Sequence, residues 1–136
     1  AADADAVNIA KATRRLGDLP PLPEIPELEE LAVLAQRMLR VALAAYGSRI
    51  SIMAREVCAR DDRVDVMRKV VRGILTDLMV KERDRISPCL AYLRASQQLE
   101  RIGDLATNIS EEVVFLVEGH SIKHHAERSG VEAAKG

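Results

Sequence analysis

Three long stretches of the chain have apolar residues at every third or fourth position, which is the spacing of an amphipathic helix. They run from residue 27 to about 58, from about 61 to 80, and from about 87 to 118. The expected inward positions are Leu31, Leu34, Met38, Val41 and Ala45 in the first, Val64, Met67, Val71, Ile74 and Leu78 in the second, and Tyr92, Ala95, Leu99, Ile102, Ala106, Ile109, Val113 and Leu116 in the third.

The residues at the ends of these stretches predict where the helices begin and end. Asp61 or Asp62 is expected to cap the second helix, and Ser87 with Pro88 to supply the N-cap and first position of the third. Gly119 is expected to end the third helix. Within the first helix, Gly47 and Ser48 are poor helix formers, so we expect a bend there or the close approach of another helix.

Three helices with short connections must bury their apolar stripes against one another, which predicts an all-α, antiparallel three-helix bundle over residues 27–119. Residues 1–16 read as a terminal helix of a truncated preceding repeat, because 6–10 echo 106–110 at an offset of 100. A proline-rich linker over 17–26 and a flexible tail over 120–136 complete the predicted organisation. With 136 residues and 2% aromatics, composition also favours one helical domain.

Charge and cysteine content narrow the class of protein. Twenty basic and 21 acidic side chains leave a net charge of -1, so the basic surface of a nucleic-acid-binding protein is not expected. No apolar run approaches the ~18 residues of a membrane span, which favours a cytoplasmic protein. Cys58 and Cys89 lack the spacing of a zinc or redox motif and are expected to be buried thiols.

Two pairs of carboxylates stand out by their spacing. Asp61 and Asp65 are four residues apart, as are Glu100 and Asp104, so each pair lies on one face of its helix. Carboxylates on neighbouring helices can surround more than one hard or borderline cation. These four residues are the candidate metal ligands.

The alternative is a solvated charged face whose acids are neutralised by Arg63, Arg68 or Arg101. Asn108 is a secondary candidate ligand, and the histidines at 120, 124 and 125 are expected to be solvated.

The segment LERIGDLATNISEEVVFLVEG over residues 99–119, with DDRVD over 61–65, resembles the PhoU family of regulators of bacterial phosphate uptake. The resemblance covers about residues 27–125. It implies two repeats of a three-helix bundle, of which this chain has the C-terminal one, and multinuclear iron or zinc bound through Asp61, Asp65, Glu100 and Asp104.

The resemblance also implies a negative regulator of phosphate uptake and phosphate-starvation signalling. Its implied partners are the phosphate ABC transporter and a sensor histidine kinase, so contact with the membrane would be through partners only. A homodimer is expected because the helix over 1–16 lacks a bundle of its own.

Two other functions remain open at this point. One is a helical adaptor that needs no metal. The other is an enzyme with a di-metal carboxylate centre, which is disfavoured because no Glu-x-x-His pair occurs in the chain. No Ser/His/Asp constellation, glycine-rich phosphate loop or nucleophilic cysteine setting is present either, so catalysis is not expected.

Overall fold

The computed structural model describes residues 22–122, which contain four α-helices and no strand. They are α1 (Pro26–Ser48), α2 (Ser51–Ala59), α3 (Asp61–Lys81) and α4 (Ile86–Glu118), with a short 3-10 turn at Arg83–Arg85. The all-α prediction is therefore confirmed. The predicted helix over 1–16, the first half of the linker and most of the tail lie outside the described residues.

The helices form three arms of a bundle, and the second arm consists of α2 and α3 end to end. Contacts across to α4 run in one antiparallel register: Arg55 pairs with Glu118, Asp61 with Thr107, and Arg68 with Glu100. α4 is the longest helix, at 33 residues, and it lies against both α2 and α3. The chain therefore goes up in α1, down through α2 and α3, and up again in α4.

The first predicted helix was too long, because the chain reverses at Arg49 and Ile50 instead of continuing to Cys58. Arg49 has the left-handed φ of 59°, and its backbone N–H and that of Ile50 both donate to the Ala45 carbonyl. The Arg49 guanidinium lies 4.8 Å from the centre of the Tyr46 ring, a cation–π contact that favours this conformation. The residues after Ser48 thus begin the second arm.

The predicted helix ends are partly confirmed. Glu27 and Glu29 occupy the first turn of α1, where negative charge is favourable, and Gly119 ends α4 with a φ of 78°. The predicted caps of the other two helices were wrong. Asp61 is the first residue inside α3, whose N-cap is Arg60, and α4 begins at Ile86, ahead of Ser87.

The core follows the predicted stripes closely. Each arm contributes fully buried side chains to it, among them Leu31, Met38, Val71, Leu99 and Ala106. One residue that was predicted to face inward is not buried. Leu116 is 49% exposed, because it lies near the end of α4. Both cysteines are free and buried, as predicted.

α3 and α4 lie close together at Gly103. A Cβ built on Gly103 would lie 3.2 Å from one γ-methyl of Val64 and 3.4 Å from the other. The missing side chain lets the two helices sit close beside the acidic residues. Gly73 in α3 is a useful contrast, since a Cβ there would have no neighbour within 4 Å.

These two glycines give a matched test of the packing. Gly103→Leu should lower the free energy of unfolding by about 1–3 kcal/mol, because the added side chain overpacks the α3–α4 contact. Gly73→Leu should raise it by about 0.5–1 kcal/mol, since position 73 is exposed and the substitution only improves helix propensity. Urea denaturation followed by circular dichroism measures both. Equal effects of the two substitutions would contradict the close approach at Gly103.

Candidate functional site

The four predicted carboxylates all lie along the α3–α4 contact, which we call the acidic seam (Asp61, Asp65, Glu100 and Asp104). The antiparallel register brings the first turns of α3 beside the middle of α4. The four side chains differ in burial, since Asp61 is buried, Asp65 and Glu100 are half-buried, and Asp104 is exposed. The sequence therefore located the seam, but not the surroundings of each acid.

Asp61 faces inward at the start of α3. Its side chain is buried, and the Thr107 hydroxyl lies 3.2 Å from Asp61 Oδ1 and 3.0 Å from the Gly103 carbonyl oxygen, so it shares its proton between the two acceptors. Asp61 also sits at the positive end of the α3 dipole, which stabilises a carboxylate there. Asp61 is thus held to α4 by a polar contact inside the bundle.

Arg68 connects the other two inner acids. Its guanidinium contacts Asp65, with 3.3 Å from Nη2 to Oδ1, and its Nε contacts Glu100 on the facing helix. Lys69 adds a second cation to Asp65, with 3.1 Å from Nζ to Oδ2. One arginine therefore joins an acid on α3 to an acid on α4, which is the neutralised charged face that the spacing left open as an alternative.

These cations change the titration of Asp65. A hydrogen bond from Lys69, with a further one from Arg68, holds the pKa of the Asp65 carboxyl below its usual range. A lowered pKa means that the carboxylate form is favoured in the folded protein. This contribution is present above the ordinary pKa of an aspartate and is lost as the pH falls through the lowered value.

Cys58 lies near the inner end of the seam. Burial, together with the nearby Glu111 and Asp61 carboxylates, raises the pKa of its thiol to about 11. A thiol with so high a pKa stays protonated at neutral pH, whereas a metal ligand or nucleophile must be a thiolate. Cys58 therefore has the structural role that its isolated position in the sequence predicted.

The acidic seam lacks the convergent side chains of a metal cluster within the described residues. Among residues 22–122, no three His, Cys, Asp or Glu side chains converge closely enough to hold a metal ion. Two of the four predicted ligands are engaged by Arg68, and a third accepts the hydrogen bond of Thr107. The donor set in this arrangement does not form a metal centre, and iron or zinc binding by these residues remains a prediction.

Sequence reasoning missed Thr107 and the pairing of Arg55 with Glu118. Arg55 donates two hydrogen bonds to the Glu118 carboxylate, of 2.9 Å and 2.7 Å, and thereby holds the pKa of Glu118 down at about 2. His120 lies 3.4 Å from the same guanidinium. A threonine beside an acidic motif and an arginine 63 residues before its glutamate give no periodic signal, so only the fold reveals these contacts.

The secondary candidates lie away from the inner seam. Asn108 is exposed and lines, with Glu111 and Phe115, a pocket of about 380 Å³ on α4. His120 is exposed, as predicted, whereas the histidines at 124 and 125 lie outside the described residues. No helix in the described part of the chain is long and apolar enough to cross a membrane.

The chain matches a known protein family and is similar to several of its members. The family model described as PhoU domain matches residues 28–113, a span that contains the entire acidic seam. The chain is similar to proteins named phosphate-specific transport system accessory protein PhoU homolog. It is 32% identical to the one from Clostridium acetobutylicum, over 86% of this chain and 53% of that protein.

Two further relatives have the same name. The protein from Xylella fastidiosa strain 9a5c is 35% identical over 86% of this chain and 50% of its own length. The protein from Zymomonas mobilis is 32% identical over 96% of this chain and 55% of its own length. The chain thus spans about half the length of the curated relatives it matches.

The contact between Asp61 and Thr107 can be tested by substitution. Thr107→Val keeps the shape of the side chain but removes the hydroxyl, so it should lower the free energy of unfolding by about 1–3 kcal/mol through the loss of a buried hydrogen bond to a charged group. Thr107→Ser keeps the hydroxyl and serves as the control. In an Asp61→Asn background the effect of Thr107→Val should shrink, and an unchanged effect would contradict the pairing.

Proposed function

Because the chain belongs to the PhoU family, we propose that it is a non-enzymatic accessory protein of phosphate-specific transport that represses phosphate uptake and the phosphate-starvation response. The match of the PhoU domain to residues 28–113, together with the similarity to accessory proteins of phosphate-specific transport, is the observation that supports this function. The proposed partners are the phosphate ABC transporter and a sensor histidine kinase, both contacted from the cytoplasm.

A rigid helical bundle suits such a role. An adaptor acts by binding one conformation of its partner better than another, and the size of its effect is set by that difference in affinity. Such a mechanism needs a firm surface and no reacting group. The α3–α4 face meets this requirement, since Gly103 packs against Val64 and Arg68 ties the two helices together.

The contacts in the acidic seam favour the metal-independent form of this adaptor. Asp65 and Glu100 share the Arg68 cation, so their charge is compensated within the chain. An ion pair at this half-exposed position contributes little to stability by itself, with a typical value of about 0–1 kcal/mol. The ion pair instead fixes positive and negative groups on this surface. Such a surface favours a partner that has a complementary pattern of charges.

The proposed function can be tested in a bacterium that lacks its own PhoU protein. With phosphate plentiful, expression of this chain should lower the activity of a phosphate-starvation reporter, and the purified chain should bind the transporter's ATP-binding subunit or the kinase's cytoplasmic part in biolayer interferometry. Leu99→Asp places a charge in the core and serves as the unfolded control. An unchanged reporter together with no binding to either partner would refute the proposal.

Metal binding at the seam is the second candidate, favoured by the presence of four carboxylates along one helix contact. Since Arg68 occupies Asp65 and Glu100, a metal would have to displace it. We therefore expect Arg68→Ala to carry more iron or zinc per chain than the wild type in elemental analysis, with Arg94→Ala as the control.

Substitution of the acids themselves gives a second test of metal binding by elemental analysis. Asp65→Asn combined with Asp104→Asn should abolish bound metal without changing helicity by circular dichroism. Little metal in the wild type and in Arg68→Ala would rule out the carboxylate cluster. If the Asp65→Asn, Asp104→Asn protein loses metal but still binds its partner, the adaptor works without metal.

A further inference from the structure

Three arginines line one cleft that shares no residue with the acidic seam. The cleft has a volume of about 750 Å³ and lies between the first half of α1 and the start of α3, and we call it the α1 cleft. Arg37 comes from α1, whereas Arg60 and Arg63 come from the junction of α2 and α3. All three residues are exposed, so their guanidinium groups are accessible to a molecule that enters from solvent.

The arginines of the α1 cleft have no counter-charge within residues 22–122. None of the three makes an ion pair or a hydrogen bond there, whereas Arg55 and Arg68 each contact a carboxylate. A single unpaired arginine on a surface, such as Arg94, is satisfied by water. Three in one cleft add their fields and raise the local concentration of anions. The shared location of the arginines therefore indicates an anionic ligand.

The negative charges of the α1 cleft lie away from its arginines. Glu29 and Glu30 also line it, but Glu30 precedes Arg37 by seven residues, which is about 10 Å along the axis of α1. The start of α3 adds to the positive end, because Arg60 is its N-cap and no side chain caps its first N–H groups. Asp62 is in that first turn but does not line the cleft. One end of the cleft is therefore basic and the other acidic.

Apolar side chains form the rest of the α1 cleft, and we call them the apolar wall (Pro26, Val33, Leu34 and Met67). Val33 has 59% of its surface exposed, so apolar area remains open to a flat ring. Sites for small organic molecules typically have volumes of about 300–1,000 Å³ and combine an apolar lining with a few polar groups. The α1 cleft has both properties, and it is larger than a simple inorganic anion requires.

We propose that the α1 cleft binds a nucleoside di- or triphosphate, with its phosphates at the three arginines and its base against the apolar wall. Arginine suits phosphate because its planar guanidinium donates paired hydrogen bonds to two phosphate oxygens. Three such groups match the several charges of a di- or triphosphate. The carboxylates of Glu29 and Glu30 then accept hydrogen bonds from hydroxyl or amino groups at the other end of the ligand.

Inorganic phosphate fits the α1 cleft less well than a nucleotide. It would contact the arginines only, and it would leave the apolar wall and the two glutamates without a partner in the ligand. A nucleotide has anionic, flat apolar and hydrogen-bond-donating parts in one molecule, in the order that the cleft presents their partners. This inference rests on the lining of the cleft and not on the proposed function, so the two can fail separately.

Isothermal titration calorimetry of the full chain with ATP tests this proposal, with tripolyphosphate as an anion of similar charge that has no base. We expect ATP to bind about tenfold more tightly than tripolyphosphate, because only ATP buries apolar area against the apolar wall. Arg37→Gln and Arg63→Gln should each weaken ATP binding about tenfold through the loss of a charge-assisted hydrogen bond. Val33→Ser should weaken ATP binding severalfold and leave tripolyphosphate binding unchanged, since it removes apolar contact and no charge.

The controls separate binding in the cleft from a general effect of charge or folding. Arg94→Gln makes the same charge change at an exposed position of α4, outside the cleft, and should leave the dissociation constant for ATP unchanged. Circular dichroism should show equal helicity in all variants, since each substituted residue is exposed. The proposal is overturned if ATP does not bind at millimolar concentration, if both arginine variants bind it as the wild type does, or if tripolyphosphate binds as tightly as ATP.

Discussion

The close packing of α3 against α4 at Gly103 determines the geometry of the rest of the bundle. Because Gly103 has no side chain, Val64 can lie against the α4 backbone, and the two helices stay near enough for side chains on either side to meet. Asp61 reaches Thr107 one turn away along α4, and Arg68 reaches Glu100 nearly one turn in the other direction. A wider separation would break both contacts together, so the seam depends on a steric feature rather than on its charges.

The cations and donors of the seam keep the electrostatic repulsion between the acids of α3 and α4 small. Two acids four residues apart repel on a helix, and the chain has such a pair on each of two adjacent helices. Arg68 lies between the pairs and compensates one acid from each helix, Lys69 adds to Asp65, and the α3 dipole with Thr107 stabilises Asp61. Three of the four acids that suggested metal ligands by their spacing, Asp61, Asp65 and Glu100, are therefore satisfied by cations and donors of the chain itself.

The sequence predicted the features that repeat along the chain and missed those that depend on a single contact. The apolar stripes predicted the all-α bundle, and the spacing of the acids located the seam. The reversal at Arg49 was missed because a left-handed residue is usually glycine or asparagine, and nothing in periodicity marks an arginine there. Thr107 was missed because it meets Asp61 across 46 residues, and the choice of Arg68 over Arg63 or Arg101 required the register of α3 on α4.

The charged residues of the seam and those on α1 differ in whether they form ion pairs within the described part of the chain. In the seam, inner acids are compensated within the fold, so a ligand or partner must compete with existing contacts before it gains any. On α1, the charges have no partner in the described part of the chain, so a complementary surface gains their attraction without breaking an ion pair.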